Sequence, residues 1–288
     1  MYRRLENSSA RDVTIQNELD ELFARARGER RTVLIPYLTA GFPRPEEYVQ
    51  LAVEVFEAGA DVLEIGVPFS DPLLDGPAIQ HSQQVALDNG ITPADCLRYA
   101  RDIGERADRP RLLMGAFNPI AAFGVEDFCR QAADSGVSAL IIPDLPLEEQ
   151  RELRVTAENV HIHLIQLVAP TSTAERLKRV CAAASGFIYC ISVAGVTGAR
   201  ARVAEHARPL VERVRACTDL PVAVGFGIAG PDDARQVAQF AEGVIVGSEL
   251  TNRVSAAKQG TSPAAAARFV TSLREALGPS PSSRVPAT

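Results

Sequence analysis

Short apolar runs rich in β-branched residues alternate along this chain with longer stretches whose apolar positions recur every three or four residues. The first pattern marks strands covered on both faces, and the second marks amphipathic helices packed upon them. Strands are predicted at Val33 to Leu38, Val62 to Val67, Arg111 to Ala116, Ala139 to Pro143, Ile162 to Val168, Phe187 to Val193, Pro221 to Gly225 and Gly243 to Val246. Helices are expected over Glu46 to Ala58, Pro93 to Ile103, Val125 to Ser135, Leu147 to Glu158, Thr173 to Ala184, Val203 to Cys217 and Asp232 to Phe240, with a last one from about Ala264 to Leu277. An amphipathic segment, Ile15 to Arg27, precedes the first strand. Strand and helix in strict alternation mean a parallel sheet, and eight rounds of it predict an α/β fold: a single (β/α)8 TIM barrel with an extra N-terminal helix.

The length of 288 residues suits one such barrel, assigned here to residues 1–277, with 278–288 expected to be a disordered Pro/Ser-rich tail. A net charge of -6 argues against a nucleic-acid partner. The Arg-rich segment Arg25 to Arg31 reads as a solvated helix end. The five cysteines, Cys96, Cys129, Cys181, Cys190 and Cys217, lack CxxC spacing and read as small buried hydrophobes, which fits a cytoplasmic location. No run of eighteen apolar residues and no apolar leader is present, so neither a membrane span nor a signal peptide is expected.

Two acidic residues stand out against this apolar background. Glu64 lies inside the second predicted strand, and Asp75, eleven positions on, lies in a loop stiffened by Pro68, Pro72 and Pro77. A desolvated carboxylate either finds a partner, such as a buried arginine or backbone amides, or takes a raised pKa and becomes a proton-transfer group. Reacting groups in such barrels gather at the C-terminal ends of strands and in the loops that follow, where both of these residues are placed.

Glycine-bearing turns follow the last three strands: Ala194 to Gly198 after the sixth, Gly225 to Ile228 after the seventh, and Gly247-Ser248 after the eighth. Glycine lets backbone N–H groups approach an anion, and a helix starting at Ser248 would direct its positive end there. Gly198, Gly227, Gly247 and Ser248 are therefore the candidate phosphate-binding residues. The chain has neither the P-loop nor the dinucleotide fingerprint.

The only lysines, Lys178 in a helix and Lys258 beyond the eighth strand, are badly placed for a Schiff base at the barrel mouth. Of the four histidines, His161 and His163 fall at the opposite end, and His81 and His206 lie in helices, so no metal site is expected. The residues point to metal-free acid-base work by carboxylates on a phosphorylated substrate. A sugar-phosphate isomerase and a non-catalytic phosphate-binding scaffold remain open on these grounds.

The segment Leu63 through Pro77, Leu-Glu-Ile-Gly-Val-Pro-Phe-Ser-Asp-Pro-Leu-Leu-Asp-Gly-Pro, resembles the signature of the tryptophan synthase alpha subunit family, which includes indole-3-glycerol-phosphate lyases. The similarity runs from about Leu22 to Leu277 and includes Pro36 to Gly41, Pro143 to Pro146, Ala194 to Gly198, Gly225 to Ile228 and Val246 to Ser248. The resemblance implies retro-aldol cleavage of indole-3-glycerol phosphate to indole and D-glyceraldehyde 3-phosphate, with no cofactor. It implies Glu64 as general acid and base, Asp75 as acceptor for the indole N–H, and Tyr189 as a residue orienting Glu64. It also implies an indole pocket, drawn from Tyr37, Leu113, Ile141, Phe226 and Ile245, and a lid containing Thr197.

The chain departs from the family pattern at Ala116 and Phe117, where two tyrosines are usual, at Val85, where arginine is usual, and at Val193, where some members have arginine. Family members pass indole to a pyridoxal-phosphate-dependent beta subunit in an alpha2beta2 complex, whereas some relatives work alone and release free indole for secondary metabolism. The retained Ser70-Asp71-Pro72 loop and Pro146 favour the partnered form.

Overall fold

Parallel strands buried on both faces can lose their edges only by closing, and this sheet closes. The computed structural model describes residues 15–191, 203–225 and 227–278. Among them, β1 (Val33–Thr39), β2 (Leu63–Gly66), β3 (Arg111–Met114), β4 (Val137–Ile141), β5 (His163–Val168), β6 (Ile188–Ile191), β7 (Val222–Gly225) and β8 (Gly243–Val246) form one barrel in chain order. Val33 to Pro36 pair in parallel with Gly243 to Val246 to complete the ring.

The helices around it are α1 (Glu18–Gly28), α2 (Pro45–Glu57), α3 (Pro77–Asp88), α4 (Pro93–Gly104), α5 (Phe117–Phe123), α6 (Val125–Asp134), α7 (Arg151–Asn159), α8 (Ala174–Ala183), α9 (Val203–Arg215), α10 (Pro231–Val237), α11 (Ser248–Ala256) and α12 (Ser262–Leu277). Two depart from expectation. α5 follows β3 directly, because Pro119 falls in its first turn, where a missing N–H costs nothing. α7 begins at Arg151 rather than Leu147, since residues 146–150 are taken up by turns closed by Glu149 N–H to Pro146 O and Gln150 N–H to Leu147 O.

The two-residue period of a strand divides its side chains between two cores. Leu34, Leu63, Ile65, Leu113 and Val244 pack outward against the helices. Ile35, Leu112, Ile141, Tyr189 and Ile245 fill the barrel. That inner core is capped by α1, whose Leu19, Leu22, Phe23 and Ala26 join it.

The capped end of the barrel carries several buried polar contacts. Asn17 Nδ2 donates to the carbonyls of Ser138 and His161, and His163 Nε2 lies 2.8 Å from Asp20 Oδ2. Beside them, fully buried Asp61 accepts from Arg31 at 2.9 Å, from Arg274 at 2.8 Å and from the Leu34 N–H at 2.8 Å. Arg31 is thus a correction to the solvated reading of its segment: its side chain is 5 % exposed because it neutralises Asp61. Cys217 is likewise only half-buried, whereas the other four cysteines are buried, and all five are free. Among the described residues no helix is long and apolar enough to cross a membrane.

Candidate active site

Leu63 and Ile65 turn to the outer core, so the pleat of β2 aims Glu64 into the barrel beside Tyr37, its register partner on β1. Glu64 is 1 % exposed, and neither carboxyl oxygen has a hydrogen-bond partner among the described residues. No buried arginine or backbone amide of those residues takes it up, as a structural carboxylate would require. Burial, and then the charge of nearby Asp75, push its pKa up to about 8.

Asp75 ends the loop that leads into α3. The loop doubles back through the Asp75 N–H to the Pro72 carbonyl at 3.1 Å. The carboxylate is held by Gln83, whose Nε2 donates to Oδ2 at 2.7 Å while its Oε1 accepts the Phe69 N–H at 3.0 Å. Burial raises the Asp75 pKa, and the Gln83 bond restrains the rise. Sequence reasoning missed Gln83. The signal was there, since it shares the buried stripe of α3 with Ile79 and Ala86, whereas Gln80 is exposed.

Both carboxyls open into a chamber of about 180 Å³, with Tyr37, Met114, Tyr189 and Ile245 around them. Its far wall is made by Gly227, Ile228, Ala229, Gly247 and Ser248. Gly227 has φ 85, a backbone conformation that glycine tolerates best, and Ser248 opens α11. The first N–H groups of that helix have no partner within it and suit an anion. Glu249, also on this wall, is neutralised by Arg253 at 2.9 Å.

A second chamber of about 600 Å³ lies across Asp75, shares Tyr37, Asp75 and Met114 with the first, and is walled by the loop after β2 and the turn after β3. Asp75 thus lies between two largely apolar chambers, the first of which also holds Glu64 and an anion-suited wall. A substrate with a flat apolar part and a phosphate fits that shape.

Residues 23–276 match the family model described as tryptophan synthase alpha chain. The chain belongs to the tryptophan synthase alpha chain family. It is 46% identical over 239 residues to the tryptophan synthase alpha chain of Chloroflexus aggregans, covering 83% of this chain and 90% of that one. It is also 46% identical over 230 residues to that of Streptomyces avermitilis, covering 80% and 83%. Among solved structures, tryptophan synthase subunit alpha from Legionella pneumophila str. Paris superposes with a TM-score of 0.84 at 35% identity, covering 91% of this chain and 98% of that chain.

Set against this tryptophan synthase alpha chain fold, the sequence-derived site residues divide. Glu64, Asp75, Tyr189, Gly227, Gly247, Ser248, Tyr37 and Ile245 line the first chamber together. Leu113 does not belong to the pocket: it pairs with Ile65 and Leu140, and all three face the outer core, so the inward positions of β3 are Leu112 and Met114. Ile141 packs in the inner core without lining either chamber. Tyr189 does not hold Glu64 through a hydrogen bond, because neither Glu64 oxygen has one among the described residues. Gly198, Thr197 and Phe226 lie outside the described residues. Tyr37 has a second partner besides the cleft: its hydroxyl accepts from Thr39 Oγ1 at 3.2 Å and fills the space a side chain on Gly66 would need.

Proposed function

We propose that this chain is the alpha subunit of a tryptophan synthase, cleaving indole-3-glycerol phosphate to indole and D-glyceraldehyde 3-phosphate with Glu64 as its acid and base. The observation that carries the reading is the buried, unbonded carboxyl of Glu64, with a pKa of about 8, in one chamber with Asp75 and the Gly227, Gly247 and Ser248 turns. Near neutral pH this group keeps its proton and can deliver it, as a general acid requires.

Protonation at indole C3 places positive charge on the ring nitrogen, and the ionised Asp75 carboxylate would accept the N–H and stabilise that charge. The hydroxyl on the adjacent glycerol carbon then loses its proton to Glu64. As its oxygen forms the aldehyde carbonyl, the bond to C3 breaks and its electron pair returns to the ring, neutralising the nitrogen. One proton enters, one leaves, and no redox partner is needed. The phosphate would rest on the backbone of Gly227 and Gly247 and at Ser248, with Gly198 and the Thr197 lid expected to complete the site.

A pyridoxal-phosphate-dependent beta subunit is the proposed partner. Leu73 and Leu74 are 88% and 63% exposed on the loop that carries Asp75, an apolar pair that a docked protein surface would cover. A partner there would couple its binding to the position of Asp75. A cytoplasmic location belongs to the same proposal and is supported by the free cysteines.

The test is turnover of indole-3-glycerol phosphate by the purified chain, alone and with a beta subunit. Slow cleavage alone and a large acceleration with the partner are expected. A rate of about 1 per second or more from the chain alone would refute partner dependence, and no cleavage in either condition would refute the activity.

A further inference from the structure

The second chamber is larger than the first and lies on the opposite side of Asp75 from the phosphate end. We infer that it is a specificity pocket that admits substituents on the indole ring edge next to the nitrogen, with Ala116 setting its depth. The inference rests on the proposed cleavage reaction and names the substrates that this site would accept beyond the parent compound.

The geometry fixes which ring edge enters. With the nitrogen on Asp75 and the glycerol phosphate running toward Gly227 and Ser248, the ring atoms past the nitrogen, C7 and C6, face the second chamber. C4, on the other flank of C3, stays in the first chamber near Glu64. Tyr37, Asp75 and Met114 border both spaces, so a C6 or C7 group would enter the second chamber past these side chains.

The lining suits an apolar substituent. Val67, Phe69, Leu74 and Met114 supply apolar walls, and Asp71, Asp75, Gln83, Asn118 and Asp144 add polar side chains to the lining. Both oxygens of Asp144 accept the Phe117 N–H, at 2.9 and 3.1 Å, so that carboxylate is already engaged. The same bond, with the Gly115 N–H to Ile141 O bond at 3.1 Å, fixes the turn that forms one side of the chamber.

The space exists because that turn carries almost no side chain. Gly115 cannot gain one, since its Cβ would fall 2.9 Å from the Val67 Cβ. Ala116 can: its φ of -72 and ψ of 155 are open to any residue. It is therefore the position where a larger side chain would fill the chamber without disturbing the fold.

The experiment compares kcat/KM for indole-3-glycerol phosphate and for its C4-, C6- and C7-chloro derivatives, in the full chain and in Ala116→Phe. The C6 and C7 compounds should be cleaved within about tenfold of the parent, and the C4 compound far less well, because a pocket can discriminate a group of that size by roughly ten- to two-hundredfold. Ala116→Phe should lower the C6 and C7 values at least about tenfold more than the parent value. Rejection of C6 and C7 substituents as strong as that of C4, or equal losses for all substrates in Ala116→Phe, would overturn the inference. If even the parent is not cleaved, the proposed activity fails, and equilibrium binding of free 4-, 6- and 7-chloroindole still reads the chamber: equal affinities overturn it, and preference for the 6- and 7-isomers that Ala116→Phe removes supports it.

Discussion

The two ends of this barrel each bury a carboxylate and treat it in opposite ways. At the end capped by α1, Asp61 is fully buried and held by two arginines and a backbone amide. At the open end, Glu64 is just as buried and neither of its oxygens has a partner among the described residues. A buried charge with full compensation maintains the fold, whereas one without it stays protonated and is available for chemistry. Burial alone therefore says little about role; the partners decide it.

The largest effect that could break this contrast is on turnover. Glu64→Gln removes the proton donor and acceptor while keeping shape, so cleavage should fall by at least about 10³-fold with substrate binding retained in a calorimetric titration. Asp75→Asn keeps a hydrogen-bond acceptor but loses the charge that stabilises the cationic ring, so it should leave measurable activity. Equal, mild losses in both variants would end the division of labour between the two carboxyls.

Stability should respond in the reverse order. Asp61→Asn leaves Arg31 and Arg274 facing one another in a buried site, with an expected loss of about 3–5 kcal/mol, measurable by urea unfolding. A loss under about 1 kcal/mol would mean that the capped end is held by α1 packing rather than by this cluster. Glu64→Gln should show no such loss.

The stability of the parent chain, with Glu64 in place, should instead change with pH in a direction the pKa dictates. The folded chain holds the Glu64 proton up to about 8, whereas the ordinary value is 4.5, so between these values the folded state binds more protons than the unfolded one. Stability must then fall as pH rises through that window, with a total loss of order a few kcal/mol. Glu64→Gln should lose that slope and so be the more stable form at about pH 9. Parallel stability-pH curves for the two proteins would show that Glu64 is not buried unpaired.

The sequence carried the strand-helix rhythm, the barrel and the positions of Glu64 and Asp75, because each rests on local pattern. It could not phase β3: Leu112, Leu113 and Met114 are all apolar, so nothing in the pattern says that Leu113 faces outward. It could not reveal that Arg274 meets Asp61, since 213 positions separate them. Arg31, among other arginines at a helix end, carried no mark of burial either. Gln83 was legible in principle, because a polar residue on the apolar stripe of α3 needs a partner, and the loop before that helix offers one.

Gln83 also gives the finest test of how the open end is tuned. Its amide is the one bond drawn to the Asp75 carboxyl by a side chain of the described residues, and it opposes the rise that burial imposes. Gln83→Leu keeps the volume and removes the donor, so the Asp75 pKa should move further up. The acid limb of the kcat/KM profile, where Asp75 loses its charge, should shift to higher pH, while the alkaline limb set by Glu64 near 8 stays close to its place. At neutral pH the cost should be modest, about tenfold or less, growing as the pH is lowered. A loss that is the same at every pH would mean that Gln83 acts only by holding the loop through the Phe69 N–H, and that the ionisation of Asp75 is set by burial alone.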